Sequence, residues 1–140
     1  MKQAGLSPDD IQHIKAHAIP TPTGDRCEIA AVKSLFGISN FVAVSSTNSA
    51  EGHMLRAAGR LEAMFTVLSL LNQIAPPTLN MFTPDPDIDV IDFVRHSARN
   101  MEIDNAMSQG FRLGRVNASA FFQALGQLNL ISMDSTRGLR

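Results

Sequence analysis

The chain has 140 residues, 44% of them hydrophobic and 18% charged, with 12 Lys and Arg against 13 Asp and Glu. That length and apolar content fit one globular domain with a sizeable core. The near-zero charge balance excludes a free-standing nucleic-acid binder, which needs a strongly basic domain or a dense cationic stripe.

The longest apolar stretch, Met64 to Leu71, is broken by Thr66 and Ser69, and it falls short of the roughly 20 residues a membrane span needs. No apolar segment after Met1 reads as a secretory signal. A lone Cys27 rules out an internal disulfide and agrees with a reducing compartment, so the cytoplasm is the expected location.

Ser7-Pro8-Asp9-Asp10 reads as a turn or helix start, capped by Ser7 with Pro8 at the first position. The run Ile11 to Ala18 follows, with a strand ending at His17. Pro20 and Pro22 exclude regular sheet, so Thr21-Pro22-Thr23-Gly24 is a turn-rich loop. Asp25 and Glu28 have capping-box spacing, and Ile29, Val32, Leu35 and Phe36 recur at helical spacing until Gly37. Together they predict a helix from Asp25 to Phe36.

Phe41 to Val44 reads as a buried strand, and Ser45 to Ser49 as the loop leaving it. The longest predicted helix runs from Ala50 to Asn72, with Met54, Ala57, Ala58, Leu61, Met64, Phe65, Leu68 and Leu71 as its apolar face. Residues 79 to 104 carry Pro84, Pro86 and several Asp, predicting an irregular excursion with a short strand near Val90 to Val94. Met101 to Gln109 and Val116 to Leu125 predict an antiparallel pair around the turn Gly110 to Arg115. One domain over residues 1–125 is expected, with a loosely ordered tail over 126–140.

Two histidines stand out, each after an apolar run and inside a frame of small and hydroxyl residues. His17 lies in Ala16-His17-Ala18-Ile19-Pro20-Thr21-Pro22-Thr23-Gly24-Asp25, and His53 ends Ser45-Ser46-Thr47-Asn48-Ser49-Ala50-Glu51-Gly52-His53. Both positions suit strand ends, where ligands bind in open α/β sheets. His13 and His96 lack such frames and read as surface residues, and Cys27 reads as an ordinary small buried residue. No His, Cys or Asp cluster has ligand spacing, so no metal is expected. Ser45, Ser46 and Thr47 lack the Gly-x-Ser-x-Gly elbow of a hydrolase, and loop hydrogen bonding accounts for them more simply.

These segments, with Ala57-Ala58-Gly59-Arg60-Leu61-Glu62-Ala63, Pro76-Pro77-Thr78-Leu79-Asn80 and Arg112-Leu113-Gly114-Arg115-Val116-Asn117, resemble the C-terminal half of the β-ketoacyl synthases. These are the condensing enzymes of fatty-acid and polyketide synthesis. The family motifs are Ala-His-Gly-Thr-x-Thr-Pro-x-x-Asp, Ser-Ser-Thr-Lys-Ser-x-x-Gly-His, Ala-Ala-Gly-x-x-Glu-Ala, Pro-Pro-Thr-x-Asn and a late Gly-Phe-Gly-Gly-Thr-Asn. They occur here in the same order.

The resemblance implies an α/β chain that forms half of a thiolase-like fold, a mixed β-sheet flanked by helices with one long central helix. It implies decarboxylative Claisen condensation of a malonyl thioester. His17 and His53 match the two catalytic histidines, Glu62 a structural partner, and Asp25 the acid ending the first motif. Thr21, Leu113 and Gly114 match positions facing the substrate or its pantetheine arm. No tightly bound cofactor is implied; phosphopantetheine arrives as substrate on an acyl carrier protein. The nucleophilic cysteine belongs to an N-terminal thiolase-fold half outside this chain, and Cys27 is not its equivalent. These residues alone are therefore not expected to condense anything. Met1 to Leu6 resembles the end of a helix that begins earlier in the family, as in a piece of a longer protein.

The departures from the motifs are specific. Asn48 stands where the family has lysine, leaving Glu62 without its expected ion-pair partner. Ala18-Ile19-Pro20 replaces a Gly-Thr-Ser-like stretch, and arginines replace glycines in the late loop. Arg56, Arg60, Arg112 and Arg115 make either a basic rim for a phosphopantetheine or acidic carrier protein, or, as the simpler account, solvated faces. An isolated half is expected to expose apolar surface along Met54, Leu61 and Leu68, and so to form a homo-oligomer or bind another chain closely. The alternative function is a non-condensing, chain-length-factor-like or scaffolding subunit.

Overall fold

Alternation along one short strand organises the molecule. In β1 (His13–Lys15) and its continuation, Ile14 and Ala16 enter an apolar cluster with Ile29, Val32, Val44 and Met107. His13, Lys15 and His17 therefore point to the opposite face. The computed structural model describes residues 1–18, 21–37, 42–84, 91–112 and 116–125. The predicted tail over 126–140 and the turn residues Leu113 and Gly114 lie outside the described residues.

In chain order, β1 is followed by α1 (Pro22–Phe36), β2 (Ala43–Ser45), the single turn α2 (Asn48–Glu51), α3 (Ala58–Asn72) and β3 (Ile74–Ala75). The remaining strands are β4 (Asp92–Phe93), β5 (Arg99–Asn100), β6 (Asn105–Arg112) and β7 (Val116–Gln123). A five-stranded mixed sheet has the order β4-β2-β1-β6-β7, and β3 pairs with β5 separately. β2 and β6 flank β1 in parallel, with His13 opposite Ala43 and Ala106 and Lys15 opposite Ser45 and Ser108. The β6–β7 pair is antiparallel, as the late segments predict.

α1 packs on the Ile14 face. α3 covers the other, with Leu70 against Ile103 and Ala106. Helices on both faces of a mixed sheet are the expected α/β arrangement.

α1 begins three residues before the predicted start. Thr21 is its N-cap, its hydroxyl accepting from the Gly24 N–H at 3.2 Å, and Pro22 opens the helix, where a missing N–H does no harm. Asp25 is thus inside the first turn and is not the cap.

The single helix predicted from Ala50 to Asn72 is broken. Gly52 at φ 77° and Leu55 at φ 48° take left-handed backbone, ending α2 and delaying α3 until Ala58. α3 closes on Gln73, also left-handed. Its side-chain amide donates to the carbonyls of Leu70 (2.7 Å) and Ile103 (2.9 Å), and accepts from the Ile103 N–H at 2.8 Å. That clamp offsets the strain of a non-glycine residue in this conformation.

α3 is also turned over relative to its apolar pattern. Its buried residues include Glu62, Thr66 and Ser69, while Met64, Leu68 and Leu71 are 60%, 47% and 74% exposed. Thr66 and Ser69 satisfy their hydroxyls on the carbonyls of Glu62 and Phe65, at 2.7 and 2.8 Å. The polar side of the helix therefore lies on the sheet. The expected apolar exposure is present at Met54 and Leu68, and Leu61 is half-buried. No described helix is long and apolar enough to cross a membrane.

His13, expected at the surface, is fully buried, because β1 is the central strand of the sheet. Its Nε2 pairs with Ser45 Oγ at 2.8 Å, and burial, aided by the nearby Lys15 charge, lowers its pKa from 6.5 to about 4. Between those values the unfolded chain takes up a proton that the folded chain refuses, so stability falls as pH drops through this window. A His13→Leu variant should lose most of that slope. Urea midpoints measured from pH 4 to pH 7 check this.

Candidate active site

The site is built where β1 and β2 run out toward the same end of the sheet. His17 lies two residues past β1 and is 5% exposed. Its backbone N–H and that of Ala18 both donate to Glu28 of α1, to Oε1 and Oε2, each at 2.8 Å. This carboxylate clamp crosses from the helix to the strand end. Burial raises the Glu28 pKa, and the two N–H donors oppose that rise. Sequence reasoning missed Glu28 as a site residue, although its place one helical turn beyond Gly24-Asp25 puts it over the preceding strand.

The clamp holds Ala18 at φ 38°, a conformation that disfavours any residue with a Cβ. Family motifs carry glycine at this position. Ala18→Gly is accordingly expected to stabilise the fold by up to about 1 kcal/mol, part of the relieved strain being lost to a freer unfolded chain. Thermal unfolding of the two proteins compares them directly.

The His17 ring is fixed on one side only. Nδ1 lies 2.9 Å from Glu62 Oε1, whereas Nε2 is buried with no hydrogen-bond partner among the described residues. The His53 ring stands edge-on to it at a centroid distance of 5.4 Å, and Phe111 of β6 closes another side at 6.1 Å. Gly52, left-handed at φ 77°, turns the chain out of α2 immediately before His53. His53 is exposed. Two imidazoles from separate motifs thus share one space, one anchored and one open to what approaches.

Asn48 joins this network. Its Nδ2 donates to the His17 carbonyl and, at 3.4 Å, to Glu62 Oε1. Asn48 brings Glu62 no charge, but the carboxylate is not left without a cation. Lys15, fully buried, brings Nζ to 3.9 Å from Glu62 Oε1, and His17 is the second partner. Sequence reasoning passed over Lys15, though its i+2 spacing between His13 and His17 signals that all three share a face.

The remaining candidates lie elsewhere. Asp25 lines an apolar cavity of about 90 Å³ on the α1 side with Ala16, Ala18, Glu28, Ile29 and Phe93. Its Oδ1 is buried with no hydrogen-bond partner among the described residues, and burial raises its pKa. Thr21 is exposed as the α1 cap. Cys27, expected to be buried, is exposed, because Glu28, Ile29 and Val32 take the side of α1 that meets the sheet. Arg56 and Arg60 are exposed, and His96 is exposed as expected. Leu113, Gly114 and Arg115 lie outside the described residues. Among the described residues no three His, Cys, Asp or Glu side chains are placed to hold a metal.

The family model for the beta-ketoacyl synthase C-terminal domain matches residues 1–82. The chain belongs to the beta-ketoacyl synthase family. It is 43% identical over 120 residues to 3-oxoacyl-[acyl-carrier-protein] synthase 2 of Coxiella burnetii, covering 85% of this chain and 29% of the relative. It is 40% identical over 128 residues to the mitochondrial 3-oxoacyl-[acyl-carrier-protein] synthase of Arabidopsis thaliana, covering 89% and 28%.

Among solved structures it is similar to a beta-ketoacyl synthase from Burkholderia phymatum, at TM-score 0.83 and 33% identity over 89% of this chain and 30% of that one. It is also similar to a type II PKS ketosynthase solved in complex with its acyl-carrier protein, at TM-score 0.84 and 30% identity over 89% and 30%. The fold is therefore that of the thiolase-like ketosynthases. The chain spans less than a third of the length of these relatives.

Proposed function

We propose that this chain is the C-terminal part of a 3-oxoacyl-[acyl-carrier-protein] synthase-type acyltransferase and supplies the two histidines of its condensing site. The observation that carries this reading is the pairing of His17 and His53 at 5.4 Å, with Nε2 of His17 buried and without a hydrogen-bond partner among the described residues while Glu62 holds Nδ1.

In the reaction, a cysteine of the N-terminal thiolase-fold half holds the acyl chain as a thioester. The malonyl thioester loses carbon dioxide, and the electron pair of the broken C–C bond moves into an enolate. The enolate carbon then attacks the acyl carbonyl and expels the cysteine thiolate. Negative charge grows on the malonyl thioester oxygen during decarboxylation, and imidazole N–H groups fixed near it act most strongly at that moment.

His53, open to the approaching thioester, suits the donor role. His17 differs: an ionised Glu62 keeps the neutral ring's proton on Nδ1, so Nε2 donates in the imidazolium form and accepts in the neutral form. Glu62, Asn48 and Glu28 orient His17. Phosphopantetheine enters as part of the acyl-carrier substrate, with Thr21, Leu113 and Gly114 as its contacts by resemblance, and Asp25, whose N–H donates to the Thr21 carbonyl, supports the start of α1 that carries Thr21. The exposed face of α3 is covered by the N-terminal half, and the complete assembly is a homo-oligomer working in the cytoplasm.

A second reading has its own support. A chain-length-factor-like subunit keeps the fold and shapes a partner's acyl tunnel without condensing, and Asn48 in place of the family lysine favours it. A ketosynthase/chain length factor structure is similar to this chain, at TM-score 0.84 and 26% identity. The proximity of Lys15 to Glu62 weighs against it, because the buried carboxylate still has a cation beside it. Incubation of the chain, assembled with an N-terminal half, with malonyl and acyl carrier-protein thioesters separates the two. Formation of a 3-oxoacyl product supports condensation, and stable assembly without product supports the scaffold.

A further inference from the structure

Lys15 is a lysine at 0% exposure on the central strand, where a charged side chain is expensive unless it is partnered. Its ammonium donates to the Ala16 carbonyl at 3.0 Å and lies 3.9 Å from Glu62 Oε1. The same oxygen takes the His17 ring at 2.9 Å and the Asn48 amide at 3.4 Å. Lys15 and Asn48 thus converge on one carboxylate from β1 and α2. We propose that Lys15 is a positioning residue for His17, supplying from β1 the cation that Asn48 does not supply and thereby keeping Glu62 ionised beneath the ring.

The physical consequence is a choice of tautomer. An ionised Glu62 can only accept, so the neutral His17 ring must carry its proton on Nδ1 and leave Nε2 as an acceptor. Glu62 is itself fully buried, and a buried carboxylate without a cation is neutralised by taking up a proton. It then donates to Nδ1, and the ring proton moves to Nε2. Lys15 therefore decides whether the Nε2 side of His17 accepts or donates. His13 on the same strand, Glu28 of α1 and Glu51 of α2 are further titratable neighbours of Lys15. Burial lowers the Lys15 pKa while the three acids Glu62, Glu51 and Glu28 oppose that. This role rests on reading His17 as the working imidazole, but its test needs no turnover.

Long-range ¹H–¹⁵N spectra of the full 140-residue chain report which ring nitrogen of His17 bears the proton. The unaltered chain is expected to show the Nδ1–H form. Lys15→Met should shift the balance toward Nε2–H by roughly tenfold or more, as the loss of a charged partner implies. Moving the cation with Lys15→Asn and Asn48→Lys together should restore Nδ1–H. An unchanged His17 spectrum in folded Lys15→Met overturns the proposal and leaves Lys15 a structural group. If Lys15→Met does not fold, the paired exchange decides: a folded exchange protein with Nδ1–H supports the proposal, and one with Nε2–H, or one that fails to fold, overturns it. Failure of condensation with the tautomer result intact would instead count against the functional reading.

Discussion

His17→Ala is expected to reduce carbon dioxide release from malonyl acyl carrier protein by roughly 100- to 1,000-fold in the complete assembly, within the usual loss for one positioned imidazole that accepts or passes a proton at Nε2. The expectation follows from the asymmetry of the ring's surroundings. Nδ1 is held by Glu62 Oε1 at 2.9 Å and the backbone N–H by Glu28 at 2.8 Å, so the ring has little freedom to turn away. Nε2 is buried with no hydrogen-bond partner among the described residues, a state that costs free energy.

Removing the ring also separates two contributions. His17 is buried and offers little surface to a carrier protein, so the loss should fall on kcat with KM changed much less. His53→Ala should show a similar direction. Equal activity of His17→Ala and the unaltered chain would mean that His17 is only a packing residue next to Phe111.

The second large effect is expected at α3. Met64, Leu68 and Leu71 are 60%, 47% and 74% exposed on a helix whose other side buries Glu62, Thr66 and Ser69. Apolar side chains of this size gain about 1.5–3 kcal/mol each on full burial. Leu68→Asp places a charge at the centre of that face. It should weaken association with the N-terminal half at least about 100-fold, because an unpaired charge would be trapped in an apolar contact. The chain's own unfolding should change by no more than about 0.5 kcal/mol, the usual range for an exposed site. Calorimetric titration with the N-terminal half measures the first quantity and chemical unfolding the second. Unaltered affinity would place the contact on another face.

The same helix was legible in its exposed apolar side and not in the row that it buries. Its apolar residues recur at helical spacing, and exposure at Met54 and Leu68 agrees with the expectation for an isolated half. Here a polar row, Glu62, Thr66 and Ser69, meets the sheet because β1 presents His13, Lys15 and His17 to it. Neither half of that match is visible from the helix alone.

His17 and His53 were legible because each carries a local frame, and the parallel strands bring the frames together without long-range information. Lys15 was not, since one lysine among apolar residues looks like a solvated side chain until the strand is known to be central. The break before α3 was not legible: Gly52 falls within the helix predicted from Ala50 to Asn72, and left-handed backbone at the non-glycine residues Leu55 and Gln73 is set by tertiary contacts such as the Gln73 clamp on Ile103. Thr21 took the cap from Asp25 because Pro22 tolerates the first helical position, which extends α1 beyond its apolar pattern.

The most direct test of the account is carbon dioxide release from malonyl acyl carrier protein by this chain assembled with an N-terminal thiolase-fold half bearing the cysteine. Release that requires both the assembly and His17 is the predicted result. An assembly that forms fully yet releases nothing, or releases equally well with His17→Ala, would contradict it.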